Sequence, residues 1–388
     1  MNRFLVFTIT KLMFLTAPVV AQKKTGISIK WEIATELPAD SGQQQSLGFA
    51  SPVTGVHNDI LFIAGGANFP TGMPWQGGKK KYYNKVFAYT RKQRKLVLLN
   101  KFFTLPSTIA YPASCSTPKG VLYAGGENEK GISNEVWLMQ WDIKTQELLF
   151  KALTPLPIPV SNAAATLVGH TVYIAGGETT SGASSQFLAL DLDNTAIGWK
   201  QLTEIPQPVS HTVLMASFEK GSNTIYLCGG RKKNSNGISD LYNNVFEYDV
   251  IANRWQEKTP LPYVLSAGTG ILYDVNHIIL FGGDKGIIFH KTETLIASIN
   301  AEKDETRKQD LLREKNKLQS EHPGFSNEVL LYNIKTNIWK AIDTIPFATP
   351  VTTTAVKWKS SFFIPSGEIK AGVRSPNILS VKILRKTK

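Results

Sequence analysis

The sequence has little cysteine and no long apolar run after its first residues. Only Cys115 and Cys228 occur among 388 residues, and both lie in apolar, strand-like segments. Two cysteines are too few for a structural zinc site, and we expect buried small side chains rather than a disulfide. Beyond residue 21 no stretch approaches the ~20 apolar residues of a membrane-spanning helix. The sequence therefore predicts neither a metal-stabilised fold nor a membrane span.

The chain also lacks an acidic excess. It carries 43 Lys and Arg against 30 Asp and Glu, which gives a net charge of +13. This balance attracts anionic partners over long range. No nucleic-acid-binding motif accompanies the charge, so we expect a small anionic ligand or an anionic surface rather than nucleic acid.

The first 21 residues have the pattern of a secretory signal. Arg3 precedes an apolar run that only Lys11 interrupts, and Val19 and Ala21 form a small-residue cleavage site before Gln22. A buried N-terminal strand or an anchor helix is the alternative interpretation. We expect residues 1–21 to be a signal peptide and residues 22–388 to form one exported domain.

An internal repeat is the strongest signal in the sequence. An apolar stretch that ends in two glycines occurs five times, and a sixth copy has Ser366 in place of the first glycine. These first positions are 60, 51, 53, 53 and 84 residues apart. The copies are LFIAGG at 61–66, LYAGG at 122–126, VYIAGG at 172–177, IYLCGG at 225–230, IILFGG at 278–283 and FFIPSG at 362–367. A period near ~50 residues is typical of kelch blades, each a four-stranded antiparallel sheet. We attribute the glycines to crowding of the innermost strands at the axis.

The order of strands within the repeat predicts how the ring closes. Each unit continues with an aromatic strand and then with a strand that ends in a Leu-Pro or Ile-Pro step, usually with a Trp. The last unit ends without its Trp strand, whereas WEIATELP at 31–38 is such a strand without a glycine pair before it. We therefore predict an all-β, six-bladed propeller in which the N-terminal strand completes the sixth blade and removes the exposed sheet edges.

Two insertions lengthen the repeat. One lies at 65–85, and the other lies at about 285–324 in the fifth unit, where residues 295–319 have the pattern of a charged amphipathic helix. The helical insertion is either a solvated decoration or a cap over one mouth of the channel.

The residues just after the glycine steps are candidates for a ligand site. If the units superpose, these residues form one ring at the end of the axial channel, and five of the six are ionisable. They are Ala67, Glu127, Glu178, Arg231, Asp284 and Glu368. In the last loop Arg374 lies six residues after Glu368, so a hairpin can bring both side chains to one pocket. His211, at the head of a strand, is either a channel residue or a satisfied core residue.

Two loops resemble one known family. The segment GEIKAGVR at 367–374 resembles the G-E-x-K-x-G-x-R loop of bacterial N-acetylneuraminate epimerases, which are kelch-type sialic acid mutarotases. The segment 65–87, GGANFPTGMPWQGGKKKYYNKVF, resembles the long loop of the cyclically permuted branch of that group. The likeness covers essentially all of residues 22–388 in repeat order.

The resemblance implies an isomerase of the bacterial periplasm that interconverts the α and β anomers of sialic acid through ring opening and reclosure. It implies Glu368 as the acid/base group and Arg374 as the residue that holds the substrate carboxylate. Such chemistry requires no metal, redox cofactor or nucleophile. We expect further substrate contacts from seven residues: Asn68, Lys80, Tyr83, Asn84, Glu127, Glu178 and Arg231.

Three other functions fit less well or remain open. A sialidase would need three arginines, a Tyr nucleophile and Ser-x-Asp-x-Gly-x-x-Trp turns, and no such turn occurs. A copper-radical oxidase would need a cysteine in a site loop, which neither cysteine provides. The alternative that remains is a non-catalytic kelch propeller that binds acidic glycans or a protein partner.

Overall fold

A computed structural model describes residues 27–93, 95–219 and 222–385 of the chain. The expected signal segment at 1–21 lies outside these residues. Within them, a four-stranded antiparallel sheet recurs six times, and the first strands of the sheets face one another around a common axis. The predicted all-β, six-bladed propeller is thus confirmed, and its sheets are called blades one to six in chain order.

The first three blades contain no α-helix among their described residues, only short 3-10 turns. From the axis outward, blade one consists of Val53–His57, Ile60–Ala64, Lys85–Lys92 and Lys95–Leu98, with Phe103–Thr104 also paired to its third strand. Blade two consists of Ala113–Thr117, Gly120–Ala124, Val136–Asp142 and Glu147–Ala152. Blade three consists of Ala164–Val168, Thr171–Ala175, Phe187–Asp191 and Lys200–Gln201.

The last three blades include longer strands and the chain's first strand. Blade four consists of Val213–Glu219, Ser222–Lys233, Ser239–Asp249 and Arg254–Lys258. Blade five consists of Thr269–Asp274, His277–Gly283, Ser326–Asn333 and Ile338–Thr344. Blade six consists of Val356–Trp358, Ser361–Pro365, Asn377–Arg385 and Ile27–Glu36.

The N-terminal strand closes the ring as expected. Ile27–Glu36 pairs antiparallel with Asn377–Arg385 along its whole length, with one irregularity between Ile33 and Thr35. The last blade therefore contains strands from both ends of the described chain, and its third strand is not left as an open edge.

Apolar clusters fill the wedges between neighbouring blades. There are six such clusters, one for each pair of adjacent blades around the ring. Both cysteines are free thiols. The recurrent tryptophans of the outer strands add a bond between blades: the indole N–H groups of Trp199, Trp255 and Trp339 donate to threonine carbonyls of the preceding blade at 2.9–3.0 Å. This contact explains why the Trp repeats.

The glycine pairs have a different role from the one expected. They belong to or directly follow the second strand of each blade, not the innermost strand, and all of them, as well as Ser366 in the sixth copy, have positive φ. A Cβ on Gly65 would lie 2.5 Å from the carbonyl oxygen of Ile109, and one on Gly66 would lie 2.6 Å from the Cβ of Phe49. The glycines therefore permit close approach of the segments that lead into the innermost strands of two blades.

The fifth-unit insertion forms two helices rather than the single helix predicted. Helix α1 covers Ile287–Ala301 and helix α2 covers Glu305–Ser320. Asp304 separates them, because its side chain accepts a hydrogen bond from the backbone N–H of Arg307 and caps α2. In the first insertion Ala67–Asn68 pairs with Lys81–Tyr82, and Pro74–Gln76 forms a 3-10 turn. None of the helices in the described residues is both long and apolar enough to span a bilayer.

Candidate functional site

The residues that follow the glycine steps occupy equivalent positions at one end of the propeller. Each forms an isolated antiparallel bridge to a residue shortly before an innermost strand. The bridges are Ala50–Ala67, Ala110–Glu127, Ser161–Glu178, Ser210–Arg231, Ser266–Asp284 and Val351–Glu368. The structure thus places four carboxylates and one arginine at corresponding points around the axis.

A second set of six residues forms a closed circle of backbone hydrogen bonds, called here the floor ring. Its members are Ser51, Tyr111, Asn162, His211, Ala267 and Thr352, all with φ between 46° and 60°. The N–H of each member donates to the carbonyl of the same position in the preceding blade at 2.7–3.1 Å, and Ser51 donates to Thr352 to complete the circle. The backbone therefore holds all six blades at a fixed spacing at this depth.

A cavity of about 380 Å³ lies on the floor ring. Its wall includes five of the six residues that follow the glycine steps, namely Glu127, Glu178, Arg231, Asp284 and Glu368. The helical insertion supplies Ile288, Phe289, Thr292, Gln319 and His322. The insertion is therefore a wall of the cavity rather than a remote decoration. On the other side of the ring a smaller cavity of about 100 Å³ lies between the innermost strands.

Glu368 and Arg374 lie side by side in the last hairpin. They pair across its two short strands, and Glu368 Oε2 lies 3.9 Å from Arg374 Nη2. Glu368 Oε1 accepts a hydrogen bond from the backbone N–H of Gly372 at 2.8 Å, which fixes the carboxylate. Glu368 faces the cavity. Arg374 does not line it, since its side chain is 4% exposed and stacks on Phe69 at 4.6 Å from the ring centroid.

The first insertion brings a cation to Glu127. Lys80 Nζ lies 2.9 Å from Glu127 Oε1, and the Tyr82 hydroxyl donates to the same oxygen at 2.7 Å. Burial and the bond to Glu127 raise the pKa of Tyr82 to about 12. The Lys80 ammonium also lies over the Tyr111 ring, 4.9 Å from its centroid. Lys80 and Glu127, both predicted site residues, thus neutralise each other on the cavity wall.

Glu178 and Arg231 are joined through two residues at the floor. The Ser210 hydroxyl donates to Glu178 Oε1 at 3.0 Å and lies 3.0 Å from His211 Nδ1. His211 Nε2 lies 3.1 Å from Arg231 Nη2. Burial, together with the Arg231 charge, holds the pKa of His211 well below its usual value, so the imidazole is neutral.

Asp284 and His322 form the wall between Arg231 and Glu368. One Asp284 oxygen accepts a hydrogen bond from the Gly286 N–H at 2.7 Å, and burial raises the pKa of this carboxyl. His322 Nδ1 accepts a bond from the Gly324 N–H at 3.0 Å, so in the neutral ring Nε2 carries the proton. Burial lowers the pKa of His322, although the nearby Asp284 and Glu368 charges oppose this shift.

Three of the predicted contacts do not line the cavity. The Asn68 amide donates to the Gly48 carbonyl at 2.9 Å and accepts a bond from the Tyr83 hydroxyl at 2.9 Å. The Asn84 carbonyl accepts a bond from the Leu105 N–H. Asn68, Tyr83 and Asn84 are not among the described residues that line the cavity, and their contacts stabilise the loop that carries Lys80.

The sequence interpretation missed most of the floor ring and the aromatic side chains of the wall. Tyr111, Phe289 and His322 were not predicted. The sequence does carry a signal for the floor ring. Each member is the third residue of a short pattern, after an apolar residue and then Ala, Ser or, in one case, Val. Examples are Phe49-Ala50-Ser51 and Val209-Ser210-His211. The member itself varies freely, which hides the repeat from a search for identical residues.

Comparison with solved structures supports the architecture. The solved structure of YjhT superposes with a TM-score of 0.59, covering 91% of this chain and 99% of that chain, at 15% sequence identity. At this identity the likeness concerns the fold alone.

Comparison of sequences gives the family. Two of the similar proteins are N-acetylneuraminate epimerases. The protein of Brucella melitensis is 27% identical over 231 residues, and that of Haemophilus influenzae strain PittEE is 26% identical over 221 residues. These matches cover 59% and 57% of this chain and 58% and 56% of the relatives' own length. The family described as N-acetylneuraminate epimerase matches residues 154–388, which include Glu178, Arg231, Asp284, Glu368 and Arg374. Since this match covers more than half of the chain, the protein belongs to the N-acetylneuraminate epimerase family.

Proposed function

We propose that the protein is a sialic acid mutarotase, an isomerase that exchanges the α and β anomers of N-acetylneuraminate. The observation that carries this proposal is the position of Glu368. Its carboxylate faces the cavity and is fixed by the Gly372 N–H, in a chain that belongs to the N-acetylneuraminate epimerase family. The resemblance of the 367–374 loop to the family's Glu/Arg loop supports the same assignment.

The reaction requires the transfer of one proton between two oxygens of the substrate. Glu368 removes the proton of the anomeric hydroxyl and delivers it to the ring oxygen as the bond from that oxygen to the anomeric carbon breaks. The open form is a ketone. After rotation about the bond to the ketone carbon, the former ring oxygen attacks the other face as a hydroxyl, and Glu368 carries its proton to the ketone oxygen, so the enzyme ends unchanged.

The cavity supplies the setting for this transfer. The Gly372 N–H donates a hydrogen bond to Oε1 of Glu368, and the other oxygen, Oε2, lies nearest Arg374. The Arg374 guanidinium places a positive charge beside this oxygen, which is the one that would accept the proton. The resemblance of the 367–374 loop assigns the Arg of the family's loop to Arg374, and this residue lies 3.9 Å from Glu368.

The test is proton NMR of freshly released α-N-acetylneuraminate with and without the protein. We expect faster approach to the anomeric equilibrium, and we expect Glu368→Gln to lower the rate about 10²- to 10⁴-fold, the usual contribution of a general acid/base. Glu129→Gln is the matched control and retains the rate, because it removes an exposed carboxylate whose one hydrogen bond within the described residues comes from the Thr108 hydroxyl. Binding without acceleration in the unmodified protein would favour a non-catalytic glycan-binding propeller.

We also propose that residues 1–21 direct export to the periplasm. The short basic start, the apolar run and the small residues Val19 and Ala21 support this proposal. N-terminal sequencing of the protein recovered from the periplasmic fraction tests it, and a mature chain that begins at Gln22 is the expected result. Recovery of the uncleaved chain from the cytoplasm would contradict it.

A further inference from the structure

The two arginines near the cavity are held in different places by the two insertions. Phe69 of the first insertion covers the guanidinium of Arg374 at 4.6 Å, and Phe289 of helix α1 lies against that of Arg231 at 4.4 Å. Arg374 is buried and Arg231 lines the cavity. A ligand on the floor ring therefore meets Arg231 directly.

Arg231 is fixed at both ends of its side chain. Its backbone N–H and carbonyl pair with the carbonyl and N–H of Ser210 at 2.9 and 2.8 Å. At the other end, the guanidinium is located by the Phe289 ring and by His211 Nε2. A long cationic side chain held in this way loses little freedom when it binds an anion.

The hydrogens of the His211 contacts can be assigned without ambiguity. A guanidinium only donates, so His211 Nε2 is the acceptor and Nδ1 carries the proton. Nδ1–H then donates to the Ser210 hydroxyl, and that hydroxyl donates to Glu178. The side-chain polar atoms of Ser210 and His211 then all have partners, and the low pKa of His211 agrees with this assignment.

Arg231 is also the cavity cation that has no ion-pair partner. Lys80 lies 2.9 Å from Glu127, whereas in the described residues no carboxylate lies within 4.0 Å of the Arg231 guanidinium. His211 is its one described side-chain hydrogen-bond partner, which leaves most of its five N–H donors for a ligand. An anionic group that enters the cavity finds its strongest available partner here.

We propose that Arg231, oriented by His211, binds the carboxylate of the substrate, and that Arg374 acts on Glu368 rather than on the substrate. This inference rests on the proposed function. In N-acetylneuraminate the carboxylate is attached to the anomeric carbon, so its place fixes that of the reacting carbon. Carboxylate binding then falls on Arg231 of blade four and proton transfer on Glu368 of blade six, with Asp284 and His322 between them. The planar guanidinium of Arg231 can form two parallel hydrogen bonds with the carboxylate.

The test compares the affinity of the substrate with that of its uncharged C1 amide. In the unmodified protein the acid binds more tightly than the amide. We expect Arg231→Gln to weaken binding of the acid about 10- to 100-fold and to change binding of the amide about twofold or less. Lys233→Gln, which removes an exposed cation from the same strand, is the control for long-range charge and keeps the preference. Arg374→Gln lowers turnover and also keeps the preference for the acid.

His211 is tested as a positioning residue. Ala occupies the same floor-ring position in blade five with a φ of 56°, so His211→Ala is compatible with the backbone. It should raise KM for the acid several-fold with a smaller change in kcat, and His211→Gln, whose amide oxygen offers an acceptor at similar reach, should restore part of the affinity. Thermal melts establish that each variant is folded.

Two results overturn the inference. One is loss of the acid-over-amide preference in Arg374→Gln together with its retention in Arg231→Gln. The other is equal affinity of the unmodified protein for acid and amide, which would show that the carboxylate is not recognised. A failure of the proposed function looks different, because the unmodified protein would then bind neither compound or bind without accelerating the exchange of anomers.

Discussion

The surroundings of Asp284 in the cavity disfavour the charged form of its carboxyl group. Burial raises its pKa, although a backbone bond from Gly286 and the charges of Arg231, His322 and His290 act in the opposite direction. A raised pKa in the folded state means that the folded protein binds this proton more tightly than the unfolded chain does. Stability is therefore lost as the pH rises from the ordinary Asp pKa through the raised one.

The substitution Asp284→Asn tests this assignment. Asn keeps the oxygen that accepts the Gly286 N–H and cannot ionise, so we expect a higher Tm than the unmodified protein at pH 7. The difference should shrink toward zero at the lowest pH at which both proteins remain folded, because Asp284 is then protonated in both states. Differential scanning calorimetry across this range provides the measurement, and a lower Tm for the variant at pH 7 would contradict the expectation.

A site residue could be predicted from the sequence where the residues around it repeat, but not where only the backbone conformation repeats. The glycine steps are identical enough to locate Glu127, Glu178, Arg231 and Glu368 without a structure. Tyr111 could not be found in this way, because its floor-ring position is defined by a backbone φ and a bond to Ser51 that any residue can supply. Asn68 and Tyr83 were predicted as ligand contacts from their loop, but they bond to each other, and Asn68 also bonds to the Gly48 carbonyl.

At the scale of elements, helix α1 is attached to Ser239 of blade four by the buried carboxylate of Glu293 and by His290, whose Nε2 lies 2.7 Å from the Ser239 carbonyl oxygen. Glu293 accepts hydrogen bonds from both the backbone N–H and the hydroxyl of Ser239, at 2.8 and 2.7 Å. The sequence suggested a helix only from residue 295 onward, because Ile287–Phe289 follow a glycine step and have an apolar pattern that does not distinguish a helix from a strand. The break at Asp304 was likewise hidden by the charged residues on both sides.

We predict that Glu293→Ala detaches α1 without unfolding the propeller. Loss of two bonds from buried groups costs about 2–3 kcal/mol of local stability. Hydrogen exchange should become faster in residues 287–320, with little change in the innermost strands, and substrate affinity should fall because Phe289 no longer supports Arg231. Lys291→Ala on the exposed face of the same helix is the control. Unchanged exchange in Glu293→Ala would show that other contacts hold the helix.

At the scale of the whole molecule, the ring is closed by backbone pairing and by one tryptophan. Trp31 on the N-terminal strand donates to Asp343 at 3.3 Å and meets the Phe281 ring edge-on at 5.6 Å. It thus takes the position of the outer-strand tryptophans of other blades, with a side-chain acceptor in place of a threonine carbonyl. The repeat allowed this closure to be predicted, since only the order of strands was needed.

The closure predicts unequal effects of two substitutions on one strand. Trp31→Ala removes a half-buried ring and its bond, and we expect a loss of about 2–3 kcal/mol in the free energy of unfolding. Ile33→Ala removes a side chain that is 42% exposed and should cost less than about 1 kcal/mol. Urea unfolding of both variants gives the comparison. Equal midpoints would mean that the N-terminal strand is held by its backbone bonds alone.

In the floor ring, the backbone sets the width of the cavity and the side chains set its chemistry. Six backbone N–H groups and six carbonyls hold the blades together there, with no contribution from the side chains. The six positions already carry Ser, Tyr, Asn, His, Ala and Thr at nearly the same φ. The side chain at each of these positions can therefore change while the backbone keeps the spacing of the blades. The ligand preference of the cavity can thus be altered one position at a time.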